Sequence, residues 1–426
     1  MSSSSLLLDL RPLRENPTFR RLWAGSAISG LGTQIASFAV LYLVWERTQN
    51  AALVGMIGIA QAVPMFAFAL AGGRLADAID RRTLVLAARL GQLTASAALA
   101  LIVIVGVDGI WPIFLVIAVQ SGLGAVSAPA SKTFAVRLLS GEQLGAGLAV
   151  TNMVFQASML IGPLIGGLLI AAGGVGVCLA VDAVTFLAAL YGVARLPRML
   201  PERADPAAGS PAGVATGPGT ARDKGAAGIL VALRLIRREP ILIGVFLADV
   251  SATVLSMPIA LFPVINAQEY GGSALTLGLF TPALAVGGVL MGTFSGRLTR
   301  ASRQGMVMLV AGAVWGLALA GFGLVHSLWF ALPALAIAGA ADVASVVSRG
   351  TIVQRVTPDA FRGRVNALDY LVGAGGPQLG NLRAGLVASA TSGATSAVLG
   401  GLAAAVGAVT IGFALPTLRR YRQPGG

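Results

Sequence analysis

The amino-acid sequence predicts an all-α membrane protein of twelve transmembrane helices arranged as two six-helix halves. Apolar runs recur along almost the whole chain, basic residues fall in every second loop between them, and the two halves echo one another. Of 426 residues 56% are hydrophobic and only 11% charged, and the mean hydropathy is +0.83. Soluble domains carry about a quarter of their residues as charges. Runs of about eighteen apolar residues or more are long enough to cross a hydrocarbon core of about 30 Å.

The first six spans are expected near 22–46, 52–73, 83–106, 110–133, 146–172 and 175–195. The second six are expected near 241–266, 273–296, 305–325, 328–350, 365–390 and 394–416. This gives an N-terminal half (1–196), a connector (197–240) and a C-terminal half (241–426). Within the connector, 197–227 is rich in Pro, Gly, Ala and charge, and reads as a flexible link. After it, Ile229, Leu230, Val231, Leu233, Leu235 and Ile236 alternate with Arg234, Arg237 and Arg238. That pattern predicts a short amphipathic helix on the membrane surface.

The net charge is +13, and the basic residues do not form one nucleic-acid-binding patch. Arg11, Arg14, Arg20 and Arg21 precede span 1, and Arg74, Arg81 and Arg82 follow span 2. Arg137 follows span 4, the connector holds seven more, and Arg297, Arg300, Arg303, Arg355, Arg362, Arg364, Arg419, Arg420 and Arg422 follow the later even-numbered spans. The intervening loops hold almost none. Excess Arg and Lys marks cytoplasmic loops, so both termini and the connector are expected in the cytoplasm. Met1 to Arg21 contains no apolar core of signal-peptide length, so the first span is expected to be retained. All but two of the 30 basic residues are arginine, the exceptions being Lys132 and Lys224, which fits a GC-rich bacterial genome. The single cysteine, Cys178, lies inside an apolar run and reads as a small packed hydrophobe.

The internal repeat is read from spacing. Val136-Arg-Leu-Leu-Ser-Gly-Glu after span 4 is echoed by Gln354-Arg-Val-Thr-Pro-Asp-Ala after span 10, an offset of 218 residues. The same offset places Gly145 on Gly363, Gly162 on Gly380 and Gly167 on Gly385. Gly73-Arg74-Leu75 is likewise echoed by Gly296-Arg297-Leu298. Internal repeats of this length are a mark of transporters.

The loop Gly73-Arg-Leu-Ala-Asp77-Ala-Ile-Asp-Arg81-Arg82 resembles the loop after span 2 in the major facilitator superfamily. Gly73 is read as a point of close helix approach, Asp77 as a helix cap, and Arg81 and Arg82 as partners of carboxylates or lipid phosphates. In span 5, Ser158 through Gly167, including Gly162, Pro163, Gly166 and Gly167, is similar to the antiporter motif of that superfamily, with Ser158 in place of its first glycine. Small residues at this spacing form a smooth packing face, and Pro163 removes one backbone hydrogen bond. Phe19-Arg-Arg-Leu-Trp23, Met257-Pro258, Ala260 through Pro263, Gly339 through Val343 and Gln354 through Val365 narrow the resemblance. They are similar to the exporter group typified by the bacterial enterobactin exporter, which includes macrolide efflux pumps. The resemblance implies the major facilitator fold in a bacterial cytoplasmic membrane and spans 1, 4, 7 and 10 around a central cavity. Two positions depart from it: Gly32-Thr33-Gln34 where an acidic residue is common, and Ala118 where the antiporter motif has arginine.

Charges deep in a membrane are costly, and so mark function by default. Asp249 in span 7 and Asp342 in span 10 sit at similar depth and are candidate proton acceptors; the alternative is a structural bond to hydroxyls or to Arg349. Arg349, seven residues beyond Asp342, and Arg383, after the expected Gly375-Gly376-Pro377 break, could meet an anionic substrate group. Arg383 could equally neutralise a buried carboxylate. Gln34 and Gln120, with Gln61 and Gln156, are candidate polar contacts in the cavity, Asp182 reads as structural, and Arg89 as snorkelling to the rim. No enzyme is expected: there is one histidine, His326, no nucleophile with a positioned base, no metal-ligand cluster, no cofactor motif and no phosphate-binding loop.

The expectation is a monomeric secondary exporter of a small organic molecule, a siderophore or related metabolite, driven by protons and surrounded by lipids. Antibiotic efflux is the alternative, and a transport-inactive scaffold or sensor the alternative of another class. Reporter fusions at Pro206 and after Gly426 should both report a cytoplasmic position. An extracytoplasmic signal from either would overturn the arrangement of two sets of six spans.

Overall fold

The computed structural model describes residues 9–200 and 233–422, apart from the side chains of Leu70, Asp77 and Ala360. The expected flexible stretch from 201 to 227 and Ile229 to Val231 lie outside the described residues. Residues 233–238 are helical, with Ile236 buried and Arg234, Arg237 and Arg238 exposed, so this part of the expected amphipathic helix has two faces.

Twelve long helices account for nearly all of the described chain. The first six are α1 (Pro17–Thr48), α2 (Ala51–Ala78), α3 (Arg81–Ile104), α4 (Trp111–Leu138), α5 (Gly141–Gly173) and α6 (Val175–Ala194). The second six are α7 (Pro240–Ser256), α8 (Ala274–Thr293), α9 (Gln304–Leu324), α10 (Leu328–Val356), α11 (Arg362–Ala390) and α12 (Gly393–Ala414). Each matches one expected span, and several run past its apolar run, α2 to Ala78 and α10 to Val356. Backbone hydrogen bonding continues into the headgroup region after apolar side chains give out. Eleven spans, with α7 taken together with the segment that follows it to Glu269, are long and apolar enough to cross a membrane. The remaining one, α11, is long but carries Arg362, Arg364, Asp369 and Arg383.

Two local expectations are corrected. Span 7 is interrupted: α7 stops at Ser256, a 3-10 turn covers Ile259–Leu261, and a short helix resumes over Phe262–Glu269. Pro258 has no N–H and pushes the residue before it out of the helical region, and Met257 has ψ 121°. The amide of Ala260, freed from the helix, donates to Asn381 Oδ1 of α11 at 3.1 Å. Conversely, Gly375-Gly376-Pro377 does not break α11, which runs unbroken from Arg362 to Ala390.

Contacts divide the chain into two compact units. Of the described residues, the first holds 9–48, 60–200 and 274–282; the second holds 49–59, 233–273 and 283–422. The start of α2 therefore belongs with the second six helices, and the start of α8 with the first.

In the first unit α1 meets α6 where a side chain on Gly25 would strike the Ala188 carbonyl, and α2 meets α4 at Gly72 against Val126. Gly162 and Gly166 rest on Gln34 and Phe38 of α1, while Gly167 rests on the Ala274 carbonyl at the start of α8. The second unit repeats the pattern. Gly380 rests on Thr253 and Met257 of α7, and Gly385 on Ala51 at the start of α2. The glycines paired by the repeat thus make equivalent contacts in the two units.

Elsewhere in the second unit Gly316 of α9 and Gly401 of α12 each face the other's carbonyl, and Gly287 of α8 and Gly339 of α10 lie against the Ala336 and Leu284 carbonyls. A side chain at any of these sites forces helices apart, and overpacking costs about 1–3 kcal/mol. Gly321, also on α9, faces open space. Gly316→Ile should lower the thermal midpoint of the detergent-solubilised protein, and Gly321→Ile should leave it within error. Equal behaviour of the two variants would show that the close contact does not hold α9 to α12.

Candidate functional site

The second unit encloses a cavity of about 190 Å³. Asp249, Thr253 and Met257 from α7, Trp315 from α9, Asp342, Ser345 and Arg349 from α10, and Gly373 and Pro377 from α11 line it. Four helices converge here because glycine lets α11 lie close: Gly376 and Gly380 sit against Thr253 and Met257, and Gly373 leaves room for the Arg349 guanidinium. The break in α7 places Met257 on the wall.

Asp249 and Arg349 form an ion pair, their side chains only 9% and 11% exposed. Arg349 Nε also lies 3.5 Å from Asp369 Oδ1 of α11. Asp342 opens onto the same cavity and forms no ion pair among the described residues. One guanidinium thus serves a neighbourhood of three carboxylates, and the group is more negative than positive when all are ionised. Hydrogen bonds fix two of the wall residues: Thr253 Oγ1 donates to the Asp249 carbonyl at 2.8 Å, and Trp315 Nε1 donates to Ser256 Oγ, behind the wall, at 2.8 Å.

The fold brings Asp249, Asp342 and Arg349, separated by up to 100 residues in the chain, onto one cavity. Asp369 was missed, although it is a lone carboxylate early in the expected span 365–390. Arg383 does not line the cavity. Its guanidinium lies beside Gly400 of α12, and its Nε is buried without a hydrogen-bond partner among the described residues.

Gln34 and Gln120 belong to the first unit. Gln34 packs by its Cβ on Gly162, and the Gln120 carbonyl accepts from Gln92 Nε2 at 3.4 Å. Gln92 in turn accepts from Arg89 at 3.1 Å. Arg89 therefore reaches one turn deeper into α3 and does not snorkel to the rim, because the anchored Gln92 amide presents it with an oxygen. Asp182 is buried and accepts from Ser96 Oγ at 2.5 Å and Thr33 Oγ1 at 3.4 Å, tying α6 to α3 and α1. Cys178 is buried against the Gly166 carbonyl.

The loop after α2 is anchored within the first unit. Asp80 caps α3 by accepting from the Thr83 amide at 3.3 Å and hydroxyl at 2.8 Å, and it accepts from the Met199 amide at 2.7 Å. Partial burial pushes the Asp80 carboxyl up, but hydrogen bonds from Thr83 and Met199 outweigh it and hold the group below its ordinary value. Arg82 donates to the Ala194 carbonyl at 2.7 Å, and the Arg81 amide to that of Met199 at 3.2 Å. Gly73 is not a close approach, since nothing lies within 4 Å of the space a side chain would take there; Gly72 makes that contact, against Val126. The Asp77 side chain lies outside what is described.

A larger crevice of about 650 Å³ in the first unit is lined by Val103, Ile104, Val177, Val181 and Val184 among others. Thr185 is the one polar side chain there, so it offers no chemistry.

The family model of transmembrane secretion effectors matches residues 8–423. The enterobactin exporter of Citrobacter koseri is 27% identical over 436 residues, covering 100% of this chain and 98% of its own. That of Shigella boydii is also 27% identical, covering 99% and 98%. Among solved structures, the nucleoside transporter NupG aligns with a TM-score of 0.71 at 14% identity, covering 95% of this chain and 99% of its own. A bacterial homologue of the human lysosomal transporter Spinster aligns with 0.66 at 15%, covering 98% and 100%. These likenesses show the major facilitator fold.

Removing one member of a buried ion pair strands the other, at a cost of about 3–5 kcal/mol. Arg349→Gln should therefore destabilise the protein strongly, and Arg349→Gln combined with Asp249→Asn should recover much of the loss. A double variant as unstable as the sum of the two single ones would show that the pair is not energetically coupled.

Proposed function

We propose that this chain, which belongs to the transmembrane secretion effector family of the major facilitator superfamily, exports a siderophore or related secondary metabolite by proton antiport. The carboxylate cavity is the observation that carries the coupling. Pockets that enclose whole organic ligands measure about 300–1,000 Å³, so 190 Å³ suits water and protons better than a complete substrate. Excess negative charge in a membrane interior is expensive, and a proton bound at Asp249 or Asp342 removes it. When Asp249 is neutral, Arg349 is released toward Asp369 on α11, so proton binding changes which helices the guanidinium ties together.

Siderophore as cargo is supported by likeness to enterobactin exporters over the full chain. The second cargo is an apolar antibiotic: Met257 and Trp315 on the cavity wall offer thioether and indole surfaces that accommodate varied shapes once the cavity, too small here for a whole molecule, widens in the transport cycle. The anchored loop from Gly73 to Arg82 acts in the conformational cycle, with Asp80, Arg81 and Arg82 fixing its position on the first unit. The protein works as a monomer in the bacterial inner membrane with both termini in the cytoplasm.

The test is substrate flux in proteoliposomes with and without an imposed pH gradient, for the unaltered protein, Asp249→Asn and Asp342→Asn. Uphill export should be abolished and downhill exchange spared. If both variants still concentrate substrate when the gradient is applied, the coupling role is wrong. A siderophore retained in iron-starved cells lacking the gene supports that cargo, whereas unchanged secretion with new antibiotic sensitivity supports the second.

A further inference from the structure

Four arginines of the second unit converge on one concavity. Arg303 immediately precedes α9, and Arg419, Arg420 and Arg422 follow α12. Together with Met306 they line a pocket of about 360 Å³ that, among the described residues, includes no carboxylate. None of the four forms an ion pair among the described residues.

Their convergence is built into the packing. Leu418, fully buried in the apolar cluster around Leu242 and Met308, pins the short helix Pro416–Arg419. Gly305, in the first turn of α9, is in direct contact with the Leu418 carbonyl. The arginines flanking these two elements are therefore held near one another. Excess basic charge in alternate loops accounts for arginines at this end of the helices, but not for their gathering around one hollow, where like charges repel. An anion bound in the hollow relieves that repulsion and gains charge-assisted hydrogen bonds, for which the guanidinium fork suits phosphate oxygens.

The surface beside the pocket identifies the anion's source. Phe413 is 71% exposed, and the Arg419 guanidinium lies 5.5 Å from its ring centroid. One turn beyond Met306, Val310 is 53% exposed, and Val314 continues the same face of α9. On α12, Val409 and Val406 are exposed as well. An apolar surface thus runs along two membrane-spanning helices and ends at four arginines. A soluble anion would use only the arginines, whereas a phospholipid uses both surfaces.

We propose that this pocket binds the phosphate of an anionic phospholipid whose acyl chains lie along α9 and α12. The site is independent of the carboxylate cavity and of the cargo. Its basis is charge and surface alone.

The experiment uses the purified full chain, stripped of lipid and titrated with phosphatidylglycerol or phosphatidylcholine, with bound lipid counted by native mass spectrometry. Phosphatidylglycerol should be retained in preference to phosphatidylcholine. Arg419→Gln with Arg422→Gln should weaken that retention about five-fold for each charge removed, while Arg297→Gln with Arg300→Gln, off the pocket, should leave it unchanged. Thermal midpoints provide the second reading: phosphatidylglycerol should raise the midpoint and inorganic phosphate at equal concentration should not. Equal loss in the two double variants would mean only diffuse attraction to basic loops, and equal stabilisation by inorganic phosphate would mean a soluble anion. Either result overturns the proposal.

Discussion

Close contact between glycine and the backbone of a neighbouring helix is the interaction on which the packing of both units depends. Hydrocarbon offers no hydrophobic gain for bringing two apolar helices together, so association rests on how closely their backbones approach. At Gly25, Gly167, Gly316, Gly339 and Gly380 the facing atom is a carbonyl oxygen, and Cα–H···O contacts add a little at each. Because the contact is made by backbone, it fixes helix separation without fixing side-chain identity. A chain about a quarter identical to its relatives can therefore keep the fold.

The same closeness creates the polar site. Gly373, Gly376 and Gly380 bring α11 against α7 and α10, and the space Gly373 leaves is the one the Arg349 guanidinium uses. The interruption of α7 would leave an amide unsatisfied, a serious cost where no water is at hand, and Asn381 accepts that amide. Polar residues make α11 too hydrophilic to pass for a membrane span alone. Deeper in the helix they are tolerated because they face protein or the cavity: Asn381 faces the α7 turn, Asp369 faces Arg349 and Arg383 lies against Gly400.

Charge is distributed unequally between the two units. The first resolves its buried carboxylate by neutral hydrogen bonds, Ser96 and Thr33 to Asp182, and its buried guanidinium by Gln92. Neither arrangement involves an ion pair, and both have the character of fixed structure. The second gathers three carboxylates around one arginine next to a hollow, an arrangement with more than one way of pairing. A guanidinium with alternative carboxylate partners can change which helices it ties together, whereas Asp182 with its two hydroxyl donors ties one fixed set.

Composition, hydrophobic run length and the spacing of arginines determined the class, the twelve helices and the repeat from sequence alone, since these follow from the solvent the chain must satisfy. Sequence also placed Asp249 and Asp342 at similar depth, with Arg349 two turns beyond Asp342, because helix rise converts residue number directly into distance along the axis. Only tertiary structure decided direction around that axis. It put Arg383 against α12 and outside the cavity, turned Arg89 inward to Gln92, and added Asp369 as a partner of Arg349. It assigned the close approach to Gly72 and left Gly73 open. A residue's depth is a property of its own helix, whereas the neighbour it faces is set by helices distant in sequence, whose positions depend on where glycine lets them meet.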